Sequence, residues 1–315
     1  MQTLRLSPNA AGLARAADLL AQGESVAIPT ETVYGLAADA RDGAAVARIY
    51  QAKGRPSFNP LIVHVADLAA AQRLAHLPPQ ALALARAFWP GALTLVVPLR
   101  ADAGIAGLVT AGLDTIGIRV PAHPVAQSLL RLSGLPLAAP SANSSGRISP
   151  TNADHVLDPD GGLDGRIAAV LDGGPCPVGV ESTIIGWPEG RATMLRPGGI
   201  PAEAITAALG EPLATHQADP AAPNAPGQLS SHYAPRAALR LNATPEPGET
   251  HITFGSPGPF SLSDSGDLTQ AAARLFDLLR RADVLGRPIS VAPIPDHGLG
   301  QAINDRLRRA AAPRP

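Results

Sequence analysis

The chain has 315 residues, of which 45% are hydrophobic and 16% charged, and its formal net charge at pH 7 is -1. This composition excludes a disordered chain, and the near-neutral charge excludes attraction of nucleic acid by an overall positive field. The apolar stretches are short and interrupted, so neither a secretion signal nor a membrane span is predicted. Cys176 is the only cysteine, which excludes an internal disulfide or a cysteine-based zinc site and favours the cytoplasm.

Helix and strand patterns alternate along the first two thirds of the chain. Helix-start signals at Ser7 and Pro8 predict a helix over 7–23, and Asp42 and Gly54 bound a second predicted helix. Further patterns typical of strands occupy 25–30, 61–65, 93–99, 115–120, 168–173 and 182–187, and those typical of helices occupy 67–77, 79–88 and 123–133. This alternation predicts an α/β domain with a mixed sheet.

The last third of the chain divides into a linker and a smaller domain. Residues 211–236 are rich in Pro and Ala and have no periodic apolar pattern, so we interpret them as a linker. Strand patterns follow at 251–255 and 288–294, and helix patterns at 267–285 and 299–311. The predicted division is therefore a large α/β domain over 1–210, the linker, and a small α/β domain over 237–315.

Lys53 is the only lysine of the chain, and it lies at the predicted end of the second helix. The run KGRPSFNPLIVHV at 53–65 contains no acidic residue. Cations are favourable at a helix C-terminus, so the run could simply cap the helix dipole. Alternatively Lys53 and Arg55 form an anion clamp, in which a point charge and a bidentate fork suit a polyphosphate. Asn59 and His64 would then face the same cavity.

A second cationic stretch lies between Thr115 and Ala153, where there is no Asp or Glu. It includes the run PLAAPSANSSGRISPT at 136–151, whose amides and hydroxyls suit an anion but are equally typical of ordinary turns. Neither the P-loop nor the dinucleotide-binding fingerprint is present. Ser141 lacks a nucleophile elbow and Cys176 lacks an evident His or Asp partner, which disfavours a covalent hydrolase.

Several longer motifs occur in order along the chain. They are PTETVYGL (29–36), KGRPSFNPLIVHV (53–65), WPGALTL (89–95), TIGIRVPAHP (115–124), APSANSSGRISPT (139–151), DGGPCPVGVESTII (172–185) and LRPGGI (195–200). Together they resemble the YrdC-like threonylcarbamoyl-AMP synthases. PGQLSSHYAP at 226–235 and GLGQAINDRLRRAA at 298–311 are similar to the long, two-domain form of that family, so the resemblance covers nearly the whole chain.

The resemblance implies both a fold and a reaction. The expected fold is an open twisted mixed sheet with a large cationic cavity, followed by a smaller Rossmann-like α/β domain. The expected reaction is that of a nucleotidyltransferase, which converts L-threonine, bicarbonate or CO2, and ATP into threonylcarbamoyl-AMP and pyrophosphate. The product would serve the threonylcarbamoyl modification of the adenosine beside the anticodon in tRNAs that read ANN codons.

The resemblance also implies which residues form the site. The implied ATP-binding residues are Lys53, Arg55, Asn59, Thr115, Ser141, Asn143, Ser149, Arg196 and Tyr233. The implied L-threonine-binding residues are Thr32, His64, Arg119, Ala139 and Ser182, with Arg119 paired to the carboxylate. Lys53 and Arg55 would act electrostatically, without a covalent nucleophile. Tyr233 would let the linker close over the nucleotide as a lid. The composition of the surrounding SHYAP segment alone suggests a domain-boundary turn.

Mg2+ is expected on the ATP phosphates, with no organic cofactor and no metal site made by the protein alone. The expected partners are the two substrates, bicarbonate, the tRNA threonylcarbamoyl-transfer complex and, weakly, tRNA or double-stranded RNA; no membrane contact is expected. One alternative is a noncatalytic RNA-binding module, which the intact set of Lys53, Arg55, Ser141, Asn143 and Arg196 argues against. Another is a hydrogenase-maturation carbamoyltransferase, whose cysteine-rich zinc fingers a single cysteine excludes.

Overall fold

The computed structural model describes residues 2–214 and 231–313. In the first of these ranges a ten-stranded mixed sheet runs in the order β1-β8-β2-β3-β7-β4-β6-β5-β9-β10. Its strands are β1 Leu4–Leu6, β2 Val26–Ile28, β3 Gly35–Asp39, β4 Ile62–His64, β5 Leu93–Pro98, β6 Thr115–Arg119, β7 Leu137–Ala138, β8 Ala169–Leu171, β9 Thr183–Gly186 and β10 Thr193–Arg196. The predicted α/β domain with an open mixed sheet is confirmed.

The helices of this part connect the strands and cover the sheet. They are α1 Ala10–Ala21, α2 Gly43–Lys53, α3 Leu68–Leu74, α4 Pro79–Phe88, α5 Gly107–Thr110, α6 Pro124–Ser133, α7 Ala153–Val156 and α8 Ala202–Leu209. The predicted N-terminus of α1 was wrong, because the side chain of Asn9, and not Ser7, accepts the hydrogen bond from Gly12 N. The bounds of α2 match the prediction: Asp42 caps its start, and Gly54 adopts the left-handed conformation at its end.

Strands β1, β3 and β10 of the large sheet were not predicted from the sequence, and β3 and β10 show the reason. Strand β3 consists of GLAAD, which lacks the β-branched and aromatic residues typical of strands. Strand β10 is a four-residue segment that becomes a strand by pairing antiparallel with β9. Both form because they lie between or beside buried partners, which a local pattern does not record.

Strand pairing brings distant motifs together at the centre of the sheet. Strands β4 and β6 are parallel, and their register places His64 opposite Arg119. Strand β7 pairs antiparallel with β3 and β4, so the loop over 139–151 begins beside both of them. Strand β5 pairs antiparallel with β6 and parallel with β9. The start of β9, next to Ser182, therefore lies at the same edge of the sheet as the end of β6, where Arg119 is.

The second described range forms a smaller α/β unit. Its three strands are β11 Leu239–Leu241, β12 Thr250–Ile252 and β13 Ile289–Val291, and its helices are α9 Leu268–Val284 and α10 Gly300–Ala311. All strand pairs are parallel, in the order β11-β13-β12. The smaller, Rossmann-like α/β unit expected after the large sheet is therefore present.

The two units share an apolar contact. Val33, Ile148 and Val180 of the first unit belong to the same buried cluster as Leu275 and Phe276 of α9. Most of the predicted linker, residues 215–230, lies outside the described residues, so the exact domain division remains a prediction.

Candidate functional site

One cavity collects most of the residues singled out in the sequence. It measures about 560 Å³ including its open mouth, and it lies where the first unit faces His232 and Tyr233. Nine of the predicted site residues line it: Thr32, Arg55, His64, Arg119, Ala139, Ser141, Ser182, Arg196 and Tyr233. The remaining five, Lys53, Asn59, Thr115, Asn143 and Ser149, do not line it.

Arg119 occupies the end of β6 and is almost completely buried. Its Nη2 forms a 2.6 Å ion pair with Glu31 Oε1, and its Nη1 donates to Thr32 Oγ1 at 2.8 Å. Its Nε donates to the carbonyl oxygen of Gly91 at 3.1 Å. The guanidinium is thus held in one orientation from three sides, and one of its partners, Thr32, also lines the cavity.

His64 lies beside Arg119 across the β4–β6 pair and is 3% exposed. Burial, and then the charge of Arg119, lowers the pKa of His64 to about 3. At neutral pH the imidazole is therefore uncharged, and its Nδ1 has no hydrogen-bond partner among the described residues. A neutral ring with an unused nitrogen can donate to or accept from a small polar ligand.

Ser182 and Arg196 also line the cavity and contact each other. The antiparallel β9–β10 pair lets Arg196 Nε and Nη2 donate to the Ser182 carbonyl oxygen at 3.2 and 2.8 Å. Ser182 Oγ also exchanges a 2.7 Å hydrogen bond with Thr94 Oγ1. Burial lowers the pKa of Arg196 to about 10, so the guanidinium still carries its charge at neutral pH.

Arg55 and Lys53 take different positions around the cavity. Arg55 lines it and donates to the carbonyl oxygens of Asn59 and Pro60 at 3.3 and 3.0 Å. Lys53 lies behind the wall, where its Nζ donates to the carbonyl oxygens of Ser141 and Asn143 at 2.5 and 2.6 Å. Burial, followed by the charges of Arg55 and Arg166, lowers the pKa of Lys53 well below its ordinary value.

Four other predicted residues lie outside the cavity: Asn59, whose backbone carbonyl accepts from Arg55, and Asn143, Ser149 and Thr115. Asn143 and Ser149 hold the loop over 139–151: Asn143 Nδ2 donates to two loop carbonyls, and Ser149 Oγ donates to Glu181 Oε1 at 2.6 Å. Thr115 begins β6, four residue steps along the strand from Arg119, which is a distance of about 13 Å.

Seven of the residues that line the cavity were not predicted from the sequence, and two of these, Glu181 and His232, are titratable. Glu181 and His232 line it directly, and each is adjacent to a predicted residue, Ser182 or Tyr233. Glu31, which forms the ion pair with Arg119, was likewise not predicted as a site residue. Their positions within PTETVYGL, DGGPCPVGVESTII and PGQLSSHYAP are the signal that could have identified them.

A larger groove, about 1450 Å³ including open space, lies elsewhere on the first unit and contains none of the predicted site residues. Arg41, Arg73, Arg100 and Arg131 contribute to its lining. Three of these arginines are paired with nearby Asp39, Asp102 and Gln127. The smaller cavity is the better candidate, because buried charged and polar groups converge on it.

Neither a metal cluster nor a membrane helix is found in the described part of the chain. Within residues 2–214 and 231–313, no three His, Cys, Asp or Glu side chains gather so that they could hold a metal ion. Of the helices in these ranges, none is both long and apolar enough to cross a membrane.

Comparison with known protein families shows which family the chain belongs to. A family model described as "Telomere recombination" (Sua5, YciO and YrdC) matches residues 18–198. A second, described as "Threonylcarbamoyl-AMP synthase, C-terminal domain", matches residues 200–312. The chain belongs to the threonylcarbamoyl-AMP synthase family.

Relatives of this family align over nearly their full length. The chain is 44% identical to a threonylcarbamoyl-AMP synthase of Bacillus subtilis, over 99% of this chain and 96% of the relative. It is 41% identical to one of Pyrococcus abyssi, over 94% of this chain and 93% of the relative. The crystal structure of P. abyssi Sua5 complexed with L-threonine has a TM-score of 0.87, at 37% identity, and covers 99% of this chain and 98% of its own.

Proposed function

We propose that this protein forms threonylcarbamoyl-AMP and pyrophosphate from L-threonine, bicarbonate or CO2, and ATP. The observation that carries the proposal is the convergence of Arg55, Arg119 and Arg196 with the neutral His64 in one cavity. Relatives in the family carry the name of this synthase, and one was solved with L-threonine bound.

The proposed chemistry needs no protein nucleophile. The threonine amine adds to CO2 with release of a proton, or to bicarbonate with loss of water, and gives an N-carboxylate. An oxygen of this carboxylate then forms a bond to the α-phosphorus of ATP, and the bond between the α- and β-phosphates breaks to release pyrophosphate. The protein would hold two mutually repelling anions in line and neutralise charge on the leaving group.

Threonine would occupy the side of the cavity lined by Thr32, His64, Arg119, Ala139 and Ser182. Arg119 is the proposed partner of its carboxylate, and because Arg119 is already paired with Glu31, the two carboxylates would share one guanidinium. The neutral His64 nitrogen could orient the amine, since an uncharged ring does not repel it.

ATP would occupy the side that Arg55, Ser141, Arg196 and Tyr233 line. Both arginines remain charged at neutral pH, since burial lowers each pKa only to about 10. Asn59, Thr115, Asn143 and Ser149 remain proposed ATP-binding residues, although they do not line the cavity in the conformation described. Lys53 would reach a phosphate only by leaving the two loop carbonyls that its ammonium now contacts. Tyr233 would act as the lid over the nucleotide.

Mg2+ would enter with the ATP phosphates. The two carboxylates nearest the cavity do not fit a metal site, because Glu31 is paired with Arg119 and Glu181 with Arg306. We further propose that the product serves tRNA threonylcarbamoylation through the transfer complex in the cytoplasm, with weak binding of tRNA. The reducing location agrees with Cys176, which is a free, buried cysteine.

The direct test is to incubate the purified protein with L-threonine, ATP, Mg2+ and bicarbonate and to detect the product by mass spectrometry. We expect threonylcarbamoyl-AMP and pyrophosphate in equal amounts, and little product in bicarbonate-depleted buffer. ATP turnover without the carbamoylated adenylate would refute the proposed function.

A second prediction concerns the removal of the positive charges at Arg55 and Lys53. We expect Arg55→Ala and Lys53→Ala each to lower pyrophosphate release by about 100-fold or more, because each removes a preorganised cation at or behind the phosphate side. The control is Arg15→Ala, an exposed arginine of α1, which should retain full activity. Near-wild-type turnover of either site variant would contradict the clamp.

A further inference from the structure

One arginine of the second unit, Arg306, contacts residues of the first unit that lie at the cavity. Arg306 belongs to α10, yet its side chain is completely buried. Its Nε donates to Glu181 Oε2 at 2.7 Å, and its Nη2 donates to the carbonyl oxygen of Pro197 at 3.0 Å. Its Nη1 pairs with Asp305 of its own helix at 2.6 Å. The guanidinium is therefore oriented by contacts on both sides of the boundary between the units.

Glu181 connects Arg306 to the cavity. While one carboxylate oxygen accepts from Arg306, the other accepts from Ser149 Oγ at 2.6 Å. Glu181 also lines the cavity itself, next to Ser182. Pro197, the second acceptor for Arg306, directly follows Arg196 on the nucleotide side. A change at Arg306 would thus reach the turn after Arg196 through one hydrogen bond and Ser149 through two, by way of Glu181.

Tyr233 is the third group that Arg306 supports. The guanidinium carbon lies 5.3 Å from the centre of the Tyr233 ring, and Phe276 stacks on that ring at 5.5 Å. Tyr233 has a φ of 62°, an unfavourable conformation for a residue with a side chain. Such a conformation persists only where surrounding contacts hold it, and the ring is 1% exposed between these two neighbours.

Joining the two units would not by itself require this ion pair. Taking an arginine and a glutamate out of water is costly, and a well-packed apolar pair often stabilises a contact equally well. The apolar cluster around Val180 and Phe276 already supplies such a contact. What an apolar pair could not do is fix the orientation of a carboxylate that reaches Ser149.

We propose that Arg306 is a positioning residue for the nucleotide half of the site: it orients Glu181, and through it Ser149, and it supports the Tyr233 ring over the cavity. The second unit thereby completes the ATP side, while the threonine side, held by Arg119 with Glu31 and Thr32, does not depend on it. This inference rests on the proposed function, because it takes ATP and threonine as the two ligands.

The test compares the affinity of the full-length protein for each ligand by calorimetry. The probes are L-threonine alone and a nonreactive ATP analogue with a methylene group between the α- and β-phosphates. We expect Arg306→Met to weaken binding of the analogue by tenfold or more and to change L-threonine affinity by less than twofold. Arg306→Lys, which keeps the charge, should recover part of the loss.

Arg236→Met is the matched control, since Arg236 also bridges the units, through Asp160 and Asp283, but does not line the cavity. It should leave both affinities unchanged. If Arg306→Met does not fold, Glu181→Gln tests the same connection, and it should show the same selective loss of analogue binding.

Equal weakening of both ligands, or unchanged analogue binding in folded Arg306→Met or Glu181→Gln, would overturn the inference. A wild-type protein that binds the analogue and threonine but forms no threonylcarbamoyl-AMP would refute the proposed function alone, because the positioning test measures binding. A wild type that fails to bind the analogue would overturn both.

Discussion

The buried side chains around the cavity include both charged and uncharged ionisable groups. Arg196 keeps its charge, whereas His64, in the wall of the same cavity, is neutral. The difference follows from their ordinary pKa values: burial lowers both, but only the histidine pKa passes below physiological pH. The same environment therefore offers fixed cations to anionic groups and an uncharged ring to an amine.

His64 gives a prediction about acid stability. Folding lowers its pKa from 6.5 to about 3. Between these two values, His64 is protonated in the unfolded chain but not in the folded protein. The free energy of unfolding should therefore fall as pH decreases below 6.5, by about 2 kcal/mol for this histidine between pH 7.5 and pH 5. Urea unfolding at the two pH values measures the loss.

The variant His64→Gln should show a smaller loss of stability between the two pH values, because glutamine does not titrate. His76→Gln, at an exposed position of the same unit, should keep the wild-type difference. An equal pH dependence in the wild type and His64→Gln would show that His64 is not held neutral.

At the scale of single elements, α2 is the helix that delivers Lys53 to the back of the cavity wall. Its start is defined by Asp42, whose Oδ1 accepts from the backbone amides of Ala44 and Ala45 at 2.8 and 3.2 Å. Its end is defined by Gly54, with a φ of 60°. Lys53 is the last residue before that end, so the length of the helix decides where the ammonium lies.

Removal of the α2 cap should be measurable. We expect Asp42→Ala to lower the free energy of unfolding by about 1 kcal/mol, because two backbone amides lose their acceptor. Asp42→Asn keeps an acceptor oxygen of similar reach and should recover most of the loss. Urea unfolding midpoints compare the two, and equal midpoints for the Ala and Asn variants would contradict the capping role.

At the scale of the whole molecule, the two units approach each other closely at Gly179. A Cβ atom there would lie 2.4 Å from the Cα of Ala273 and 2.5 Å from the carbonyl oxygen of Ala272, both in α9. Gly174, in the same segment, has a similar positive φ, but a Cβ atom there would meet no atom of the described residues within 4 Å. Substitution of Gly174 therefore measures backbone strain alone, whereas substitution of Gly179 measures backbone strain together with the contact between the units.

We expect Gly174→Ala to cost about 1 kcal/mol of stability from the unfavourable φ alone. Gly179→Ala should cost about 3 kcal/mol more, since backbone atoms of α9 must move away. Thermal unfolding of both variants measures the difference. Equal costs would mean that α9 does not rest on this segment as closely as described.

Much of the fold could be predicted because its signals are local. The cap and end of α2, the apolar runs of β4 and β6, and the amphipathic α9 are each encoded within a few residues, and the structure confirms them. Strand β3 could not be predicted, since its small residues acquire a strand conformation only between β2 and β7. Local periodicity records which face of a segment is buried, not which partner buries it.

The candidate site divides in the same way. From the sequence alone came the motif residues, the family resemblance they carry, and the expectation that Lys53, Arg55, Arg119 and Arg196 share a cavity. Only the tertiary structure decided that Lys53 contacts loop carbonyls behind the wall, that Glu31 pairs with Arg119, and that Glu181 meets Arg306 across 125 residues of chain. The physical reason is that a charged group pairs with whichever opposite charge lies nearest in the folded protein, which can be far away in the sequence. A buried charge depends on that partner, because no water is present to solvate it instead.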